Sequence, residues 1–507
     1  MDQGVKMAIV GGGAACVCYF HYLVKYLLQM RSPIRVEVTI FEKEKQVGPG
    51  LAYQKDYPIL RLNRSSQSMS AIVENPSHFW SWYQDHILSR THGKGEEFLP
   101  RSVFGQYLQE VFHQTMQLAN REPLQAKIEY NEIVDVNKIN RKIELITQSG
   151  ESSLFDFVVL CTGHNPSRDP YQLKGTPRYN HQPYPLHETL ESIRPDEEIG
   201  MIGSSLTAVD TALALQERKH QGRIRMFSRQ GLLPSVRIKH AQPHQLRFLK
   251  REVVYQLVEK KGHVLLKELL RLLKQEFNSL EGSREMLLSQ KTNGSTAMER
   301  LRQELSQSDT RVPWQSILTA TNDIIEEMWH HLNAYDKRMF MERFHRYFMT
   351  IRNPMPIVNA ERIYEMLRSG QLIVHKGLKS IRYWEGSFQV SLSEKSTLPI
   401  TSDWIINATG PAQYIVEKQA SRLVQTLLAK GFAVKDPFGG IQTNFNTGAV
   451  ISRDGYADLH FRALGQITCG TYYYTGSLEM IAKRSRKLAR DLSHMIEDKV
   501  MVEQGVC

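Results

Sequence analysis

The chain has 507 residues, too many for one hydrophobic core, so two or three domains are expected. Apolar residues make up 41% and charged residues 23%, the balance of a soluble globular protein rather than a disordered or membrane-embedded one. The net charge of +11 suits anionic ligands, but no basic run is interleaved with aromatics, which excludes a nucleic-acid-binding strip.

The first element is Met7-Ala8-Ile9-Val10, read as a buried parallel strand, followed by Gly11-Gly12-Gly13-Ala14-Ala15-Cys16. A strand that turns through glycines into a helix presents unpaired backbone N–H groups to a dinucleotide pyrophosphate, placing Gly11, Gly13, Ala14 and Ala15 at that group. Cys16 stands where the G-x-G-x-x-G pattern has Gly or Ala, and a small side chain still allows close packing there. An apolar helix is expected from Val17 to Met30. The alternating run Arg35–Phe41 reads as a second strand and ends on Glu42, placed to hold the adenosine ribose.

A loop rich in Gly, Asn and Ser follows, containing Gly48-Pro49-Gly50-Leu51-Ala52-Tyr53, Leu62-Asn63 and Met69-Ser70. An aromatic helix then opens on Asn75-Pro76-Ser77, and Pro100-Arg101 with Gly105-Gln106-Tyr107 leads into another. The G-x-G-x-A-Y loop, the Leu-Asn and Met-Ser pairs, the N-P-x-x-F-W-x-W helix and the P-R-x-x-x-G-x-Y element together resemble the FAD/NAD(P)-binding proteins of the NAD-binding 9 type. That family is distantly similar to the N-hydroxylating ornithine and lysine monooxygenases. The resemblance implies an α/β fold of two Rossmann-like dinucleotide-binding domains, an FAD domain interrupted by an NADPH domain, here with a helical insertion. It also implies that Tyr53, Asn63, Met69, Ser70 and Arg101 bind the FAD.

Residues 127–163 read as a three-strand excursion that returns to the first sheet through Phe155–Leu160. The return strand ends in Cys161-Thr162-Gly163, which resembles the A-T-G element of two-dinucleotide flavoproteins and puts Thr162 and Gly163 beside the cofactor. The strand Ile199–Ile202 opens a second turn, Gly203-Ser204-Ser205-Leu206-Thr207, with Ser205 where the family pattern has its second Gly. This is read as a second dinucleotide site. The next strand runs into Ser228 and Arg229, with Arg237 shortly after: hydroxyl and guanidinium where an NADH site carries an acid, as the 2′-phosphate of NADPH requires.

From about 240 to 350 helix formers dominate. His263–Leu273 has a wide apolar stripe, Gln290–Ser308 reads as a polar mobile link, and Ile324–Phe348 reads as helical. His330, His331 and His345 lack carboxylates at ligand spacing and are read as core or solvated histidines, so no metal is expected. Short strands over 372–375 and 388–391 rejoin a sheet, and Trp404–Asn407 leads to a second A-T-G element with Thr409 and Gly410. Near the end, Gly465 and Thr471 precede a helix from Leu478, which the resemblance places at the flavin's pyrimidine edge. The domains read as 1–195 and 401–507 for FAD, 196–240 and 355–400 for NADPH, and 241–354 for the insertion.

Five cysteines (Cys16, Cys18, Cys161, Cys469, Cys507) form neither metal spacing nor C-x-x-C, which argues against a redox-disulfide enzyme. With no apolar run that spans a membrane and no cleavage pattern after the N-terminal glycines, a cytoplasmic location is expected. The family resemblance implies oxidoreductase chemistry with FAD and NADPH. Three outcomes stay open: oxygen insertion into a small amino-acid-like amine, electron transfer to another acceptor as in a reductase or oxidase, or a non-catalytic binding module. Arg61, Arg64 and Arg101 lie in family-motif segments and are candidates for clamping a substrate carboxylate.

Overall fold

The computed structural model describes residues 4–30, 34–91, 95–237, 244–280, 296–307, 313–393 and 399–503. The chain divides into two compact units, one of Met1–Lys55, Arg64–Pro166 and Ala412–Cys507, the other of Asp56–Asn63 and Ser167–Pro411. The division therefore falls at 166/167 and 411/412, so residues 167–195 and 401–411 go with the second unit and not with the FAD domain as expected.

The first unit is built on a six-stranded sheet in the order Ala449–Ile451, Ala457–Ala463, Phe157–Leu160, Val5–Val10, Val36–Phe41, Leu124–Glu129. Its pairs are parallel except for the edge hairpin 449–463. The opening strand is central, and Met7, Ala8 and Ile9 are fully buried, because helices and a second layer cover both faces. Helix Ala14–Leu27 packs against helices Arg101–Ala119 and Leu478–Glu503. Across the sheet, Ala8, Val10, Phe41, Val158 and Leu160 share a core with Val136, Ile143 and Leu145 of a small antiparallel sheet and with Leu423, Val424 and Leu427. That small sheet, spanning 133–155, is the expected three-strand excursion. It starts later than expected, since Leu124–Glu129 is the edge strand of the main sheet.

The second unit has a five-stranded parallel sheet in the order Leu372–Lys376, Ile224–Ser228, Ile199–Ile202, Trp404–Asn407, Tyr179–Asn180. A three-stranded antiparallel sheet, Leu378–Trp384, Ser387–Leu392 and Ile400–Ser402, packs Ile381, Phe388 and Val390 against Phe227 and Ile405.

The insertion is helical, with two differences from expectation. Ala297–Gln307 is a helix rather than a link; only Leu301 is buried along it, so it reads as polar, while 290–295 and Ser308 lie outside the described residues. The segment 324–348 is broken into helices Ile325–His331, Ala334–Arg343 and His345–Arg352. The first break falls where Asn333 caps the next helix, its side chain accepting the Asp336 amide at 2.8 Å.

Candidate dinucleotide sites

In the first unit, Gly11 sits at φ +101° directly after the opening strand, and a Cβ there would collide with the Cys161 carbonyl. Only glycine permits that backbone at that distance. The collision partner is the end of strand Phe157–Leu160, so Gly11 is pressed onto Cys161-Thr162, and Gly163 follows at once. The Gly12 amide donates to the buried Glu42 carboxylate at 2.5 Å, which pins the turn to the end of the second strand. Gly13 caps helix Ala14–Leu27 with no side-chain partner for its first-turn amides. A Cβ on Gly13 would meet only Gly50 Cα, at 3.8 Å. The space beyond Gly13 at the helix N-terminus is thus open. Gly465, at φ +86°, lies against Ala15 and joins the same group.

The family-motif residues of this unit gather around helix Arg101–Ala119. The Tyr53 ring lies 4.9 Å from Phe104, and burial pushes its phenol up to about 12, against the pull of the Arg101 and Arg64 charges nearby. Met69 is buried, and Ser70 closes a local turn by accepting the Ile72 amide at 2.9 Å. Tyr107 Oη accepts the Ala71 amide at 3.2 Å and lies 2.9 Å from His78 Nδ1.

Arg64 is not an open clamp: it pairs with Glu479 at 2.8 Å, and Lys483 holds the other oxygen at 2.7 Å. Burial works against the Glu479 charge, but the two cations outweigh it and hold the carboxyl down to about 2. Sequence reading missed Glu479 and Lys483; their i, i+4 spacing at the start of the last helix was the available signal. Thr471 is tied to Thr443, hydroxyl to hydroxyl at 3.1 Å.

Two other expected flavin-side residues fall in the second unit. The Asn63 carbonyl accepts from Arg237 Nε at 3.1 Å, and Arg61 lies in the same short segment. Arg237 is thereby tied to Asn63.

The second unit repeats the geometry of the first. Gly203 sits at φ +115°, and a Cβ there would meet the Ala408 carbonyl at 2.6 Å. Thr409 and Gly410 therefore close the second turn, not the first; strand Trp404–Asn407 pairs directly with Ile199–Ile202. The Thr409 hydroxyl donates to Asn407 Oδ1 at 2.7 Å, which fixes the loop. Ser205 caps helix Leu206–Glu217 from an exposed position, and Thr207 lies in its first turn. Ser204 Oγ donates to the Leu232 carbonyl at 2.6 Å and lies 3.0 Å from Ser228 Oγ, which ties the glycine turn to the loop after the next strand. Arg229 is exposed next to it.

Cys16, Cys18, Cys161 and Cys469 are free and buried. Burial pushes Cys18 and Cys469 up to about 12 and raises Cys16 and Cys161 as well. Among the described residues no group of three His, Cys, Asp or Glu side chains could hold a metal ion; burial, with Arg346 nearby, pushes His345 down to about 4. No described helix is long and apolar enough to cross a membrane.

Comparison with known proteins agrees with this geometry. Residues 8–165 match the FAD-NAD(P)-binding family model. An uncharacterised Escherichia coli protein, YdhS, is 23% identical over 447 residues, covering 78% of this chain and 80% of its own. Among solved structures, the reduced form of an ornithine hydroxylase from Pseudomonas aeruginosa superposes with a TM-score of 0.60 at 13% identity, over 97% of this chain and 100% of that one. An ornithine N-hydroxylase from Kutzneria, solved with reduced FAD, NADP⁺ and L-ornithine, gives 0.55 at 12% identity over 97% and 100%. Residues 8–165 are thus similar to an FAD-NAD(P)-binding domain, in a chain that shares its fold with these two ornithine hydroxylases.

Proposed function

We propose that this chain is an FAD-dependent, NADPH-using monooxygenase that hydroxylates the nitrogen of a small amino-acid-like amine, with molecular oxygen as co-substrate. The observation that carries the reading is the repeated device: a glycine turn at a helix N-terminus, closed by its own Thr-Gly strand end, once at Gly11 and once at Gly203. Two dinucleotides are what such a pair would hold, and bound FAD would supply the redox and oxygen chemistry.

The chain's residues bind and orient. Gly11, Gly13, Ala14 and Ala15 offer backbone and helix terminus to the FAD pyrophosphate, and Glu42 takes the ribose while it holds the turn. Thr162, Gly163 and Gly465 border the same turn, and Tyr53, Met69, Ser70 and Arg101 line the flavin side. Gly203, Ser204, Ser205, Leu206 and Thr207, backed by Thr409 and Gly410, take the NADPH pyrophosphate, and Ser228 with Arg229 takes the 2′-phosphate. The buried, protonated thiols support a route without a thiol relay. The ornithine specificity of the structural neighbours supports an amine as the class of substrate. A cytoplasmic site of action fits the reduced cysteines.

The test follows electrons to product. The FAD-loaded chain is given NADPH and oxygen with a panel of ornithine, lysine and aliphatic diamines, and NADPH oxidation, hydrogen peroxide and hydroxylamine product are measured together. Hydroxylamine formed in proportion to NADPH with one of these amines establishes the reading. NADPH oxidation that ends wholly in peroxide for every amine would reassign the chain as an oxidase, and no NADPH oxidation would leave a binding module.

A further inference from the structure

After Ser228 and Arg229 the second unit's chain runs along the helical insertion, which grips it at four points. Arg300 donates to the Gly231 carbonyl at 2.7 Å, and Glu304 accepts the Val236 amide at 2.6 Å. Gln315 donates to the Val236 carbonyl at 2.7 Å, and the Thr350 carbonyl accepts the Ser235 amide at 3.1 Å. The insertion is therefore built onto the segment that follows the 2′-phosphate motif.

Helix His345–Arg352 carries Thr350 and, one turn earlier, Arg346; the Thr350 hydroxyl donates back to the Arg346 carbonyl at 3.0 Å. Tyr347, Thr350 and Ile351 of this helix line one cavity with Leu232, Leu233, Pro234 and Ser235, so the helix lies along the segment that follows Arg229, with Arg346 next to Tyr347. Arg229 and Arg346 are both exposed, and neither side chain has a hydrogen-bond or ion-pair partner among the described residues. Partial loss of solvent around the Arg346 guanidinium lowers its pKa, and the Arg229 charge, close enough to act on it, lowers it further. The same Arg229 charge reaches the half-buried Tyr171 phenol. Two guanidinium groups that act on each other and have no counter-ion among the described residues form an arrangement that a dianion relieves, and planar forks suit phosphate oxygens.

We propose that Arg346, supplied by the helical insertion, is the second guanidinium of the site that takes the 2′-phosphate of NADPH, opposite Ser228 and Arg229. The inference rests on reading Ser228–Arg229 as the 2′-phosphate motif, and it makes the insertion part of the cofactor site rather than a cover.

The test is binding, independent of turnover. Titration calorimetry on the full FAD-loaded chain measures 2′,5′-ADP and 5′-AMP, which differ only in the 2′-phosphate, for the parent protein, Arg229→Gln, Arg346→Gln and Arg346→Lys. The parent is expected to favour 2′,5′-ADP. Arg346→Gln should weaken 2′,5′-ADP about tenfold, leave 5′-AMP unchanged and lessen the salt dependence of 2′,5′-ADP binding, with Arg346→Lys in between. If Arg229→Gln loses the preference and Arg346→Gln keeps it in full, Arg346 is not a ligand and the Ser228–Arg229 motif stands alone. A parent protein that binds both nucleotides equally overturns the motif and Arg346 together. Arg346 is exposed, so each variant should keep the parent melting temperature.

Discussion

Glu42 accepts the Gly12 amide at 2.5 Å with one carboxylate oxygen and the Glu44 amide at 2.9 Å with the other. Two backbone donors thus hold a buried acid at the end of the second strand, at the position proposed to take the ribose. Glu42→Ala removes the acceptor of the buried Gly12 amide, a loss of about 1–3 kcal/mol, together with that of the exposed Glu44 amide. It is expected to lower the melting temperature of the FAD-free chain and to weaken FAD at least tenfold by flavin fluorescence titration. Unchanged FAD affinity in a folded Glu42→Ala variant would remove the ribose role.

The glycines of the first turn have separable jobs. Gly11→Ala drives a Cβ into the Cys161 carbonyl at a φ of +101°, so it should unfold the first unit or abolish its expression. Gly13→Ala meets only Gly50, at 3.8 Å, so the FAD-free variant should melt within a few degrees of the parent. With the pyrophosphate at this helix N-terminus, as proposed, the added methyl group would obstruct it and FAD binding should fall by an order of magnitude or more. Gly13→Ala with parent-like FAD affinity would place the pyrophosphate elsewhere.

Both strand–turn–helix units were legible because each is local: a buried apolar run, small residues and an apolar helix within about twenty positions. What the sequence withheld is pairing at a distance. Thr409-Gly410 has the same pattern as its counterpart at Thr162-Gly163, and only the pairing of Trp404–Asn407 with Ile199–Ile202 assigns it to the second turn. Arg64 read as a free cation because its neutralising partner, Glu479, is 415 positions away. Helix Ala297–Gln307 read as a link because it anchors through Arg300 and Glu304 to backbone atoms, which leave no apolar signature.

The four described cysteines bear on the class of chemistry. All are buried, and burial keeps each thiol protonated at neutral pH. Ellman's reagent at pH 8 should leave Cys16, Cys18, Cys161 and Cys469 unmodified over an hour in the native chain and modify all four in guanidinium chloride, read by peptide mass spectrometry. Rapid native labelling of Cys161 or Cys469 would reopen a thiol route for the electrons.

Glu304 gives the insertion a dependence on pH. Its carboxyl is buried, accepts the Val236 amide, and lines a cavity of about 20 Å³ with Arg300 and Tyr347, room for one water. Burial pushes the group up to about 7, against the pull of the Val236 hydrogen bond and the Arg300 charge; Tyr347, itself pushed up to about 12 by burial, stays neutral beside it. The sign follows from linkage. An acid whose folded value exceeds its unfolded value of about 4.5 lends stability that is fully present below that value and is lost as pH rises through about 7. The loss is on the order of 3 kcal/mol between pH 4.5 and 8. Glu304→Gln keeps an acceptor for Val236 and cannot ionise. Its melting temperature should therefore fall less than the parent's between pH 5 and pH 8, and the two curves should separate most steeply between the unfolded and folded values, near pH 6, and run parallel again above pH 8. Parallel curves across that range would show that Glu304 is not held protonated by the fold.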